Sequence, residues 1–202
     1  MDGREVLSEF ETHGKKRIGL FGGSFDPVHA GHVHLASLAK EAAGLDEVWF
    51  LPCKISPHKR DREPTAGFER VRWLETVIRD LSWARVDPTD LIREGISYSY
   101  QTLESLSVEF PENEWFWIMG GDQWTALPTW KNPERISELA SFIVLARDGV
   151  EVLPRDGYRL QIVRGEHPAS STAIRKAIRA GGKKAILHLD PRIMDLVVSS
   201  FQ

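Results

Sequence analysis

The run Gly22-Gly23-Ser24-Phe25-Asp26-Pro27-Val28-His29-Ala30-Gly31-His32 constrains this chain more than any other stretch. It follows Arg17-Ile18-Gly19-Leu20-Phe21, a short apolar segment closed by a glycine pair, which favours a buried strand over a helix of that length. Glycines at a strand end let backbone N–H groups face a ligand with no Cβ in the way. Asp26-Pro27 supplies a capping side chain and a residue whose fixed φ suits the first helical position. A helix is therefore expected to begin there and to run to about Ala43. The positive end of its dipole points back at the turn. His29 and His32, three apart, project on one side of its first turns, and Gly31 between them keeps the surface low. The stretch predicts a phosphate cradle with two imidazole donors above bare backbone.

A metal centre on His29, His32 and His34 is the rival reading. His34 lies two residues beyond His32 and points elsewhere on a helix, and the single Cys53 supplies no thiolate cluster, so no metal-ligand set is assigned. The spacing is neither the Gly-x-Gly-x-x-Gly of dinucleotide-binding folds nor the Gly-Lys-Ser/Thr of a P-loop. Surface histidines on an ordinary strand-turn-helix connection leave Gly-Gly, Asp-Pro and His-x-Gly-His unexplained together.

Elsewhere, apolar runs at 17–22, 46–52, 84–87, 114–119 and 141–147 read as strands, with helices near 30–43, 68–82, 98–110, 132–140, 171–180 and 190–200. Such alternation predicts a parallel sheet with helices on both faces. Residues 148–168 read as a loop excursion with one short strand from Tyr158 to Val163. Pro52-Cys53-Lys54-Ile55-Ser56-Pro57-His58-Lys59 is a proline-stiffened loop at a strand end, where an α/β sheet binds ligands; Lys59 is a candidate phosphate contact, or else part of a solvated basic loop. Ser170-Ser171-Thr172 reads as a helix start rich in hydroxyls, with Arg175 on the face of Thr172, able to clamp a phosphate with two donors. Trp115 to Met119 reads as a strand entering a Gly120-Gly121-Asp122 turn, whose carboxylate suits either ribose hydroxyls or a helix cap. For Ser97 the plain alternative to a ligand-binding segment is a cap on the helix from about Tyr98 to Phe110.

The run from Gly22 to His32 resembles the signature of the nucleotidyltransferase superfamily that carries His-x-Gly-His, and its wording is closest to the bacterial nicotinate mononucleotide adenylyltransferases. Related enzymes usually have one Gly-Thr-Phe-Asp in place of Gly-Gly-Ser-Phe-Asp. The segments ending in Pro57-His58-Lys59, Ser170-Ser171-Thr172-Ala173-Ile174-Arg175, Gly120-Gly121-Asp122, Ser97-Tyr98-Ser99 and Leu127-Pro128-Thr129-Trp130 resemble further segments of that family. The resemblance implies a single Rossmann-like α/β domain over 17–202, preceded by an extension of residues 1–16. It implies transfer of AMP from ATP to nicotinate mononucleotide, giving deamido-NAD and pyrophosphate, with Mg2+ arriving on ATP. His29, His32, Lys59 and Arg175 would carry catalysis. Gly22, Gly23, Ser24, Phe25, Gly120, Asp122, Ser171 and Thr172 would hold ATP, while Ser99, Trp130 and Lys59 would hold the nicotinate nucleotide. Arg147 stands where the family usually has Arg-Pro-Gly but is followed here by Asp148-Gly149. Nicotinamide mononucleotide or phosphopantetheine as acceptor, and a non-catalytic nucleotide sensor, are the alternatives.

Composition fits a cytosolic enzyme. The 202 residues suffice for one domain with a sizeable core, and a formal net charge of −3 indicates no general affinity for nucleic acid or an anionic membrane. One cysteine forms no internal disulfide, and neither a signal-peptide core nor a membrane-length apolar run is present, so a cytoplasmic location is expected. Oligomeric state is not legible.

Overall fold

The strand β1 (Arg17–Gly23) sends Leu20 into one side of a sheet and Phe21 into the other, both buried. A strand apolar on both faces belongs in the middle of a parallel sheet covered on both sides. The computed structural model describes residues 15–54, 63–93, 95–147, 149, 151–182 and 185–202, and shows that sheet. Its other strands are β2 (Glu47–Pro52), β3 (Ala84–Val86), β4 (Glu114–Gly120), β5 (Ala140–Ala146) and β6 (Leu160–Arg164). The order is β3-β2-β1-β4-β5-β6, and every neighbouring pair is parallel.

Between and after the strands run α1 (Ala30–Ala43), α2 (Gly67–Ile78), α3 (Thr89–Ile92), α4 (Ser99–Glu109), α5 (Gly121–Ala126), α6 (Pro133–Leu139), α7 (Ser171–Arg179) and α8 (Met194–Phe201). Phe21, Phe50, Phe116 and Leu145 pack under α1, α2, α7 and α8. On the opposite face Trp49, Trp115, Trp117 and Phe142 pack under α4, α5 and α6. The α/β architecture with helices on both faces is the one expected. The chain leaves β1 for α1 on one face and β4 for α5 on the other, so the sheet changes winding direction between these neighbours. A crevice opens there beyond their C-terminal ends, at Gly23 and Gly120.

Three boundaries differ from expectation by more than two residues. The first helix begins at Ala30, not at Asp26-Pro27, whose peptide bond is cis; His29 occupies the extended N-cap position. The helix after Gly67 stops at Ile78, because Trp83 must reach the sheet edge, where its carbonyl accepts the N–H of Val48 (2.8 Å). The last helix starts at Met194, since Pro191 and the Asp190 carboxylate, which takes the Arg192 N–H, hold the chain in a turn first. Helices α3 and α5 and the 3-10 turns Leu127–Thr129 and Ala185–His188 are too short to leave a periodic signal. The expected strand near 158–163 is β6, parallel to β5. Among the described residues no helix is long and apolar enough to cross a membrane.

Candidate active site

Beyond β1 the backbone makes a tight turn at the crevice. Phe25 sits at φ 47°, a left-handed value unusual for a bulky residue, with its ring buried against Phe21, Phe50 and His32. Gly23 allows this, since a Cβ there would lie 2.9 Å from Cζ of the Phe25 ring. The Ser24 hydroxyl meets the Cys53 thiol at 3.7 Å, joining this turn to the end of β2.

The His29 N–H donates to Nδ1 of His32 (3.2 Å), which leaves Nε2 of His32 as its N–H donor. The two imidazoles stack with centroids 3.8 Å apart. His29 is 6% exposed, and its Nδ1 is buried with no hydrogen-bond partner among the described residues. Burial, reinforced by His167 and His188, pushes its pKa down to about 4, so it is neutral near pH 7. Gly31 is the gap that admits this packing: a Cβ there would lie 3.1 Å from Nδ1 of both His29 and His167.

The C-terminal segment meets the same turn. Ser170 caps α7 through the Ala173 N–H (3.5 Å), while the Ser171 hydroxyl donates to the Pro27 carbonyl (3.0 Å). Nη1 of Arg175 donates to the Asp26 carbonyl (2.6 Å) and Nη2 to the Thr172 hydroxyl (3.2 Å). Burial and the neighbouring Arg179 lower the Arg175 pKa, but a guanidinium remains charged. An open cavity of about 380 Å³ lies against Thr172, Arg175, Lys176, Arg179 and Ala180. The starts of α1 and α7 thus converge on one side of the crevice, each offering first-turn N–H groups that lack intrahelical acceptors.

The cytidylyltransferase-like family model matches residues 20–177, from the middle of β1 into α7. The chain belongs to that family. Among its relatives, the nicotinate-nucleotide adenylyltransferase of Bacillus subtilis is 36% identical over 177 residues, covering 87% of this chain and 92% of the relative. A probable nicotinate-nucleotide adenylyltransferase of Bacillus cytotoxicus is 37% identical over the same length and shares. The fold is also that of the Plasmodium falciparum nicotinic acid mononucleotide adenylyltransferase solved with NaAD, with a TM-score of 0.72, 18% identity, and coverage of 93% of this chain and 98% of the other.

In this cytidylyltransferase-like chain Gly120, Asp122, Trp130 and Ser99 belong to α5, the turn after it and the start of α4, on the face of the sheet opposite α1. Gly120 caps α5, its N–H donating to Oε1 of Gln123 (3.1 Å), and Asp122 is exposed in the first turn of that helix, so it is not the cap. Trp130 is half-buried edge-on to Trp117, with centroids 6.4 Å apart, and Trp117 in turn lies against Gly22. Ser99 is the first residue of α4. Ser97 does not cap that helix: its hydroxyl accepts the Lys54 N–H (3.1 Å) and donates to the Asp90 carbonyl (3.4 Å), bracing the β2 exit against α3. Lys59 lies outside the described residues, and Arg147 is exposed.

Two features escaped the sequence reading. His167 and His188 approach His29 from beyond β6, and no local pattern marks them. Arg70, 1% exposed, is different: it shares the spacing of Trp73, Leu74 and Val77, and a charge on the apolar stripe of a helix is a legible signal.

Proposed function

We propose that this chain transfers AMP from ATP to nicotinate mononucleotide, giving deamido-NAD and pyrophosphate. The observation that carries the reading is the convergence on one turn of His29, His32, Ser171 and Arg175, with Ser171 and Arg175 bonded to the carbonyls of Pro27 and Asp26. The nicotinate-nucleotide adenylyltransferases among the relatives support the acceptor.

The triphosphate lies across the turn. The N–H groups at the starts of α1 and α7 and the guanidinium of Arg175 hold its charge, and Gly22, Gly23, Ser24 and Phe25 let the nucleotide approach the backbone. Gly120 and Asp122 face the ribose. An oxygen of the mononucleotide phosphate attacks the α-phosphorus in line, and the bond to the bridging α–β oxygen breaks to release pyrophosphate. His32, held by the His29 N–H, and neutral His29 donate to oxygens on which charge builds. Arg175, Thr172 and Lys59 hold the departing pyrophosphate. Catalysis is positioning and charge stabilisation, with no protein nucleophile. Mg2+ enters on the triphosphate as part of the substrate; among the described residues no group of three or more His, Cys, Asp or Glu forms a metal site. A reaction fed by ATP supports a cytoplasmic location.

Ser99 supplies a hydroxyl at the start of α4, whose positive end suits the carboxylate of a nicotinate ring, and Trp130 supplies an aromatic face for that ring. The test is pyrophosphate release from Mg-ATP with nicotinate mononucleotide, nicotinamide mononucleotide and phosphopantetheine offered separately. Turnover with the nicotinate acceptor is expected. Preference for another acceptor overturns the substrate, and ATP binding without pyrophosphate release with any of them overturns the chemistry in favour of a sensor.

A further inference from the structure

Arg70 is almost wholly buried in α2, yet its guanidinium reaches three backbone carbonyls from three segments. Nε donates to Thr65 (2.7 Å), and Nη1 donates to Ser24 (2.7 Å) and Cys53 (2.9 Å). Ser24 lies in the turn after β1, Cys53 follows β2, and Thr65 precedes α2. Among the described residues no carboxylate stands within ion-pair distance of this cation. A buried charge without a counter-ion is costly, and it persists where something else depends on it.

We infer that Arg70 is a positioning residue for the triphosphate: it draws the Ser24 and Cys53 carbonyls inward and so aims the N–H groups of the same peptides away from itself. The inference rests on the adenylyltransfer reading above. A trans peptide is planar with its C=O and N–H antiparallel, so fixing the Ser24 carbonyl fixes the direction of the Phe25 N–H. Phe25 is also the residue held at φ 47°, and the anchored Ser24 carbonyl is one of the restraints that keeps it there. The Cys53 carbonyl likewise sets the Lys54 N–H, which donates to Ser97. One planar fork therefore couples the phosphate turn to the exit of β2. A lysine in its place keeps the charge and loses the fork, because one ammonium does not reproduce the planar set of donors.

The test compares wild type with Arg70→Lys and Arg70→Gln by calorimetric titration with Mg-ATP and by steady-state pyrophosphate release, with folding checked by circular dichroism and thermal unfolding. Both variants are expected to fold and to lose about 100-fold in kcat/KM for ATP, the scale of a small misplacement at a reacting centre, with the mononucleotide KM unchanged. Weakened ATP binding is expected in the titration. An Arg70→Lys variant that binds and turns over ATP like wild type overturns the inference. Equal losses toward both substrates, in proportion to a lost folded fraction, overturn it as well, and so does failure of both variants to fold, since the side chain then serves the fold and not the site. A silent wild type strikes the adenylyltransfer reading alone, because the ATP titration still reports on Arg70.

Discussion

The imidazoles of His29 and His32 lie face to face, with centroids 3.8 Å apart and planes inclined by 26°, and the backbone N–H of the first fixes the tautomer of the second. That arrangement presents Nε2–H of His32 as a fixed donor that needs no reorganisation when charge develops. His32→Ala is expected to lower kcat by about 100- to 1000-fold, the range for removing one pre-set donor, with the KM for ATP within about threefold of wild type. Pyrophosphate release under saturating substrates measures it. A loss below tenfold removes His32 from the reacting centre.

Burial of neutral His29 carries a pH signature. Its folded pKa of about 4 lies below the ordinary value of 6.5, so between these limits the unfolded chain binds a proton that the native chain refuses. Stability is therefore fully present above about pH 6.5 and falls as the pH drops toward 4, by about 3 kcal/mol in total for this one group. Urea unfolding of wild type and His29→Asn at pH 7 and pH 5 isolates the effect. The variant is expected to lose less stability over that interval, and parallel losses would falsify the assignment.

The glycine between the histidines separates site geometry from fold stability. Gly31→Ala puts a methyl group 3.1 Å from Nδ1 of His29 and of His167, closer than ordinary packing tolerates. Alanine in a helix also gains roughly 0.5–1 kcal/mol over glycine. The expected outcome is a melting temperature near wild type beside a kcat reduced at least tenfold, since a small displacement of a donor is costly in rate. Thermal unfolding and turnover on the same preparation decide it; unchanged turnover shows that the imidazoles move aside freely.

What could be read from the chain follows from how local each signal is. The order of strands and helices was legible because β1, β2, β4 and β5 are apolar on both faces, a pattern that short-range sequence displays directly. The turn at Gly22 and the start of α7 at Ser170 were legible for the same reason. That Ser171 bonds to Pro27 was not, since 144 residues separate them and only the right-handed winding of the sheet brings them together. Asp26-Pro27 was misread as the helix start because the pair also suits a turn, and the extended backbone of His29 places the first helical residue at Ala30. The plain alternative for Ser97, a helix cap, does not hold, because a hydroxyl before a helix has the same sequence signature whether it meets its own N–H groups or, as here, that of Lys54.

The mononucleotide side is tested through Trp130. Its ring stands edge-on to Trp117, which lies against the Cβ position of Gly22, so the aromatic face is held by the core and not by a mobile loop. A rigid face loses little entropy on stacking, and a base stacked on an aromatic side chain is worth about 1–3 kcal/mol by alanine substitution. Trp130→Ala is expected to raise the KM for nicotinate mononucleotide by about 5- to 150-fold, which is that energy expressed as a ratio, while the KM for ATP stays within about twofold. Trp130→Phe keeps a face and is expected to recover most of the loss. The Ser99→Ala variant addresses the carboxylate instead, and its loss should fall more heavily on nicotinate than on nicotinamide mononucleotide, because only the acid brings a charge to the start of α4. Equal losses on both acceptors would move the carboxylate away from Ser99 and leave the pyridine ring to Trp130.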